Sequence, residues 1–163
     1  RHAAASLKAD REVVLAAASS GRGQPLAHAA TELRADEAFV REVLRLHAGA
    51  LQHAPVALRA AQEVVLAAVR SDGLLLRFAS AELRADREVA LAAVRRSGAA
   101  LRYAAGELRA DRMLVIAALR QDAKLLRYAA PELKAEGQAL LAEAARSDAR
   151  RSRRFSARLG PGA

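Results

Sequence analysis

The chain has 163 residues, no cysteine and a formal net charge of +9, with 53% hydrophobic but only 3% aromatic residues. That is enough for one domain with a continuous core, while the lack of cysteine excludes a disulfide framework, a thiolate nucleophile and a cysteine zinc site. Alanine supplies much of the apolar content, so helices can approach closely but bury little area per residue, and such a core needs repetition.

The charge is uneven. From residue 146 onward six arginines face one aspartate, a net of +5, against +4 for the residues before them. The longest plausible apolar run is Val64 to Val69, far short of a membrane span, and no leader pattern precedes the first repeat. The expectation is a soluble protein, cytoplasmic or organellar.

In chain order, the string Leu-basic-Ala-acidic recurs at Leu7, Leu33, Leu58, Leu83, Leu108 and Leu133, with Ala61 replacing the acid once. The spacings are 26, 25, 25, 25 and 25 residues, and the extra residue falls in the loop Gly21-Arg22-Gly23-Gln24-Pro25. Each copy reads as two helices. Asp10, Asp36, Asp86 and Asp111 stand as N-caps of the first, with Glu12, Glu63 and Glu88 in the first turn where negative charge suits the dipole. The apolar stretch Val89 to Val94 places Val89, Ala92 and Ala93 on one face, and Arg95 and Arg96 fall in the last turn. Gly49, Gly73 and Gly98 read as left-handed residues just past the helix end. The second helix is short, about Ala99 to Ala105, with counterparts at Leu26, Leu51, Leu76 and Leu126, and must be held by the neighbouring copy. The predicted core includes Leu66, Leu91, Ile116, Leu76, Leu101, Leu126, and Ala79, Ala104 and Ala129. Arg41 and Glu42 interrupt the pattern of the second copy, which predicts a rotated helix with Phe39, Val40, Val43 and Leu44 inward. In the last copy Gly137 and Glu143 dilute the apolar face, as a polar cap would.

These features predict an all-α fold in which helix pairs of 25 residues stack as an α-solenoid over residues 1–145. The copies start near 7, 33, 58, 83 and 108, with a partial copy near 133, and an Arg-rich tail follows over 146–163. The strings Ala-Asp-Arg-Glu-Val, Gly-x-x-Leu-Arg-Tyr-Ala and Glu-Leu-Arg-Ala-Asp resemble the repeat family known as domain of unknown function 4116, over about residues 7 to 144. The resemblance implies tandem arrays with an interaction role and brings no catalytic residues.

Candidate chemistry is sparse. His28 and His53 fall on the slot occupied by Phe78, Tyr103 and Tyr128, so they read as aromatic substitutes, and His2 and His47 lack companions at ligand spacing. The pairs Asp10/Glu12 and Asp86/Glu88 recur with the repeat and read as helix starts, not as an acid/base dyad. No catalytic residue, metal, cofactor or small-molecule substrate is expected. The candidate partner-binding residues are basic: Arg34, Arg59, Arg84, Arg109 and Lys134 after the repeated leucine, and Arg150, Arg151, Arg153, Arg154 and Phe155 in the tail. Further rows are Arg45, Arg70, Arg95 and Arg120 at helix ends, and Arg77, Arg102 and Arg127 beside the aromatic slot. Glu32, Glu82, Glu107 and Glu132 precede the same leucines and are expected to neutralise much of this charge locally. The function that fits is a non-catalytic scaffold, an accessory subunit docked on a larger protein assembly, with nucleic-acid or ribosomal-RNA binding through the arginine rows and tail as the alternative. The tail is expected to be irregular or ordered by a partner.

Overall fold

The computed structural model describes residues 2–21 and 23–146. All regular structure among them is helical, in the order α1 (His2–Ser19), α2 (Thr31–Ala35), α3 (Glu37–Leu46), η1 (Ala48–His53), α4 (Val56–Arg59), α5 (Gln62–Ser71) and η2 (Gly73–Phe78). Then follow α6 (Ala81–Ala85), α7 (Arg87–Arg96), η3 (Gly98–Tyr103), α8 (Gly106–Arg109), α9 (Arg112–Leu119), η4 (Ala123–Tyr128) and α10 (Pro131–Ala135). Residues 137–146 form a closing helix.

The unit has three helical pieces instead of two. The Leu-basic-Ala motif is itself a turn of helix, and the acid after it breaks that helix and caps the next. Asp86, at φ −74° and ψ 123°, is extended, and its carboxylate accepts from the Val89 amide at 2.9 Å. Asp36 accepts from Phe39, and Asp111 from Met113 and Leu114, in the same way. A residue holding the N-cap conformation cannot also continue a helix, so motif helix and long helix stay separate. Asp10 departs from this reading, because α1 runs straight through it. The preceding run Ala3-Ala4-Ala5 has the strongest intrinsic helix preference available.

The third piece is a 3-10 helix, and its sequence explains why. Gly73, Leu76 and Ala79 are buried at intervals of three, as are Gly98, Leu101 and Ala104. Three residues per turn put those side chains in line, whereas an α-helix would spread them around the axis. Asp72 and Asp122 cap two of these pieces through the amides of Leu74 and Lys124.

The long helices α3, α7 and α9 bury the same face. Counted from the capping position, the third, fourth, seventh and eighth residues turn inward: Phe39, Val40, Val43 and Leu44 in α3, Val89, Ala90, Ala93 and Val94 in α7, and Leu114, Val115, Ala118 and Leu119 in α9. The helix of the second copy is therefore not rotated. Arg41 and Glu42 occupy the side where Leu66, Leu91 and Ala92 are only half-buried in α5 and α7. Of the expected core, Leu76, Leu101, Ile116, Ala79, Ala104 and Ala129 are buried, while Leu66, Leu91 and Leu126 pack at its margin.

Corresponding elements of successive units meet: α1 on α3, α3 on α5, α5 on α7, α7 on α9, and likewise η1 on η2, η2 on η3 and η3 on η4. This neighbour-to-neighbour packing is that of a stacked repeat. Four devices tie the units. In the first, the carbonyls of Arg59, Arg84 and Arg109 accept from the amides of Ser80, Ala105 and Ala130 at 2.9, 3.0 and 2.9 Å. The position equivalent to those donors after Arg34 is Pro55, which has no N–H. In the second, an arginine after the aspartate position reaches the acid at the equivalent position of the next unit, as in Arg11–Asp36 at 3.1 Å, Arg87–Asp111 at 2.7 Å and Arg112–Glu136 at 2.7 Å. That rung is missing where Glu37 would face Ala61, and an exposed Arg41–Glu63 pair stands nearby instead.

In the third, a residue at or just past the end of a long helix closes the end of the helix before it. Arg96 donates to the Ser71 carbonyl at 2.9 Å, and Gln121 donates to Val94 at 2.7 Å while accepting from the Gly98 amide at 2.6 Å. The fourth is steric. Gly73 and Gly98 do not have the left-handed dihedrals expected of them; among the described residues only Gly21 and Gly23 have positive φ. They are glycines because the next unit lies against them. A Cβ on Gly73 would collide with the Ala93 carbonyl oxygen, and one on Gly98 would sit 2.6 Å from Leu125 Cδ1. Gly49 falls one residue beyond this slot and meets only its own neighbour His47. The slot itself holds Ala48.

Candidate functional site

The motif helices carry the first arginine row at their C-terminal ends. Arg34 and Lys134 are exposed, whereas Arg59, Arg84 and Arg109 are half-buried. In these three units the Nε of the arginine is shut off from solvent and has no hydrogen-bond acceptor among the described residues. The repeated backbone bond explains the placement, since it draws the arginine backbone against the start of the next motif helix. A guanidinium is expensive to desolvate without an acceptor, so this slot is a recurrent unsatisfied donor. Arg150, Arg151, Arg153, Arg154 and Phe155 lie outside the described residues, as does the expectation for the tail as a whole.

The second row lies over the aromatic slot. Arg77 covers Phe78 with its guanidinium carbon 4.4 Å from the ring centroid, and Arg127 covers Tyr128 at 4.7 Å. Arg102 is shared, 4.9 Å from Tyr103 and 5.7 Å from Tyr128 of the next unit. The rings are half-buried and the arginines exposed. Each contact follows from sequence neighbours on a 3-10 helix, with the cation drawn to the ring face.

The third row, Arg45, Arg70 and Arg95, stands exposed at the ends of the long helices, with Arg120 half-buried at the equivalent place. Two clefts open on this side. One of about 510 Å³ separates α3 from α5 and is lined by Leu44, Leu46, Val64 and Ala67 with Arg41 and Glu63. A second of about 430 Å³ lies between Arg70 and the α7 residues Leu91, Ala92 and Arg95.

The local neutralisation expected from Glu32, Glu82, Glu107 and Glu132 does not take the form of ion pairs. Among the described residues, carboxylates reach only Arg11, Arg41, Arg87 and Arg112 within 4.0 Å. Glu82 instead turns to its own backbone amide and the Ser80 hydroxyl, which with Arg84 farther off hold its carboxyl below the usual range. Geometry accounts for this: on a single turn of helix, residues two apart point away from each other. The carboxylates that are paired belong to the capping edge. Asp36 is held below its ordinary value by the Phe39 amide and by Arg11, and the Arg112 guanidinium is stabilised by Glu143 and Glu136. The sequence reading missed this edge, although an arginine directly after the capping acid at Arg11, Arg87 and Arg112 was its visible signal.

His53 fills the aromatic slot, half-buried, with Nε2 3.0 Å from Gln24 Oε1, and His28 is exposed. No three His, Cys, Asp or Glu side chains gather as a metal-binding group among the described residues. No described helix is long and apolar enough to cross a membrane.

Two overlapping stretches, residues 62–109 and 86–134, match the family model described as domain of unknown function (DUF4116). Each stretch spans two successive long helices, so the unit of the family covers a pair of the 25-residue repeats seen here. No curated protein and no solved structure matches the chain. The repeats over residues 62–134 are thus similar to the DUF4116 family.

Proposed function

We propose that this chain is a non-catalytic interaction repeat, an accessory subunit that docks on a larger protein assembly through the arginine rows of its stacked units. The observation that carries the reading is the division of labour among its charges. Ion pairs cluster on the capping edge, where they tie unit to unit, while Arg59, Arg84 and Arg109 and Arg77, Arg102 and Arg127 recur in step without a carboxylate partner among the described residues. An array that repeats an unpaired cation once per unit presents one continuous positive track. Such a track selects a partner by charge complementarity and speeds encounter with it. A polynucleotide is the second reading, favoured by the net charge of +9, because backbone phosphates also accept from arginine.

The test is affinity capture of the full chain from native lysate, with and without nuclease. Recovery of the same protein assembly after nuclease treatment supports the scaffold reading. Loss of every partner on digestion transfers the function to nucleic acid, and migration as a free monomer in both arms removes the docking proposal.

A further inference from the structure

The second arginine row restricts what its occupant can be, given that the row docks a protein as proposed above. The Arg102 guanidinium carbon is 4.9 Å from the Tyr103 ring centroid and 5.7 Å from that of Tyr128, so its flat side is engaged by aromatic rings. Its N–H edge is the remaining outlet, and that edge is a fork shaped for a carboxylate or phosphate. The rings are half-buried beneath the arginines, so they cannot act as the stacking platforms on which single-stranded bases bind. The row therefore favours a chain whose anions are offered singly at intervals.

The interval follows from the stack. Packed helices lie ~8–10 Å apart, and the row supplies one arginine per unit. A polyproline-II segment rises ~3.1 Å per residue with about three residues per turn, so every third side chain returns to the same edge after ~9 Å. Charged, proline-containing segments populate that conformation before binding, which reduces the ordering cost.

We propose that Arg77, Arg102 and Arg127 form a ladder that takes an extended acidic segment of a partner protein, carrying a carboxylate at every third residue and docking one carboxylate per unit. Arg59, Arg84 and Arg109 belong to the same three units and add positive charge along the track. The aromatic rings hold each fork in one orientation, so the ladder reads spacing as well as charge.

Fluorescence anisotropy on the full chain tests this with three probes. The first is a labelled peptide of about five Glu-Ser-Pro triplets, the second a peptide of the same composition with its glutamates in one block, and the third an oligouridylate of matched charge. The triplet peptide should bind roughly fivefold or more tighter than the block peptide, and the oligouridylate no tighter than the block. Replacing Arg77, Arg102 and Arg127 together by Gln should weaken the triplet peptide at least ~10-fold. The charge-matched control, Arg45→Gln with Arg70→Gln and Arg95→Gln, should change it less than about threefold. Far-UV circular dichroism establishes that both variants remain folded, and an Arg→Lys triple that keeps the charge but loses the fork should fall between them. Equal affinity for the two peptides, stronger binding of oligouridylate, or an unaffected Gln variant would each overturn the ladder. A chain that still captures its assembly after nuclease but ignores peptide spacing loses the ladder alone, whereas loss of capture removes the docking reading beneath it.

Discussion

Substituting Gly73 by Ala tests whether neighbouring units are as close as described. Gly73 does not have positive φ, so alanine meets no dihedral penalty, and removing a glycine should by itself gain ~0.4–1 kcal/mol through the unfolded chain. Packing opposes that gain. The new Cβ would overlap the Ala93 carbonyl oxygen and lie 3.0 Å from the Ser97 nitrogen and 3.1 Å from its Cβ. The obstacles are the backbone of α7 and its C-cap Ser97 with a Cβ fixed to that backbone, so no rotamer change relieves them; η2 and α7 must separate by something on the order of 1 Å. A gap of that size forfeits a quarter to a half of the dispersion energy across the contact, and overpacking of this kind costs ~1–3 kcal/mol. We expect a net loss of about 2 kcal/mol, visible in a urea melt followed by far-UV circular dichroism, and a Tm lowered by about 4–8 °C. Gly49→Ala is the control, since its Cβ would meet only the movable His47 ring at 3.1 Å, and it should change stability by less than ~0.5 kcal/mol. A Gly73→Ala protein as stable as the parent would mean that α7 does not lie against η2 and that the glycine slot has another cause.

The other ties can be perturbed one at a time. Leu101 is fully buried, so Leu101→Ala should cost ~2–5 kcal/mol by denaturant unfolding, and a loss under about 1 kcal/mol would contradict its burial. Gln121→Glu removes the donor to Val94 and sets a carboxylate against the C-terminal carbonyls of α7; it should destabilise by ~1–3 kcal/mol and do so more than Gln121→Ala if that repulsion is real. Burial raises the Asp111 carboxyl, but Arg87 and the amides of Leu114 and Met113 outweigh it and hold the group below 3.8. A depressed folded value means stability that is present above the unfolded value and is lost as pH falls through the folded one, so Tm should hold near neutral pH and drop below about pH 4, less steeply in Asp111→Asn. Installing the missing rung with Glu37→Arg and Ala61→Asp should raise Tm, with the double variant exceeding the sum of the single changes.

The period, the all-α class and the caps at Asp36, Asp86 and Asp111 were legible because they are local: a side-chain oxygen, its own helix start and a recurrent string suffice. Leu76 and Leu101 were legible for a similar reason, being the leucine that recurs at the same position of each short piece. The inward face of α3 was legible as well, since Phe39, Val40, Val43 and Leu44 are buried as expected, but that of α5 and α7 was not. Ranking by hydrophobicity selects Leu66 and Leu91, but units that approach closely bury small residues, so Ala68, Ala93 and Ala118 take the centre and the leucines move to the margin. The purpose of Gly73 and Gly98 was hidden because the atoms that exclude a side chain come from the following unit. The candidate rows were legible as rows. Their lack of carboxylate partners was not, since that depends on which way Glu82 and its equivalents turn.

Ala48 and Pro55 fall at one junction, that of α3 with α5, where the glycine slot is filled, the backbone donor is absent and the capping rung has lost both members. The cleft of about 510 Å³ opens at the same place. In a linear array the free energy of parting is set by its weakest interface and not by the average. Thermal opening should therefore begin here, leaving residues up to 53 as one cooperative segment and those from 56 onward as another. Amide exchange would show this as two protection plateaus instead of one, with the amides of α3 released before those of α7. A chain built this way can yield at one joint while the arginine-bearing units beyond it keep their spacing.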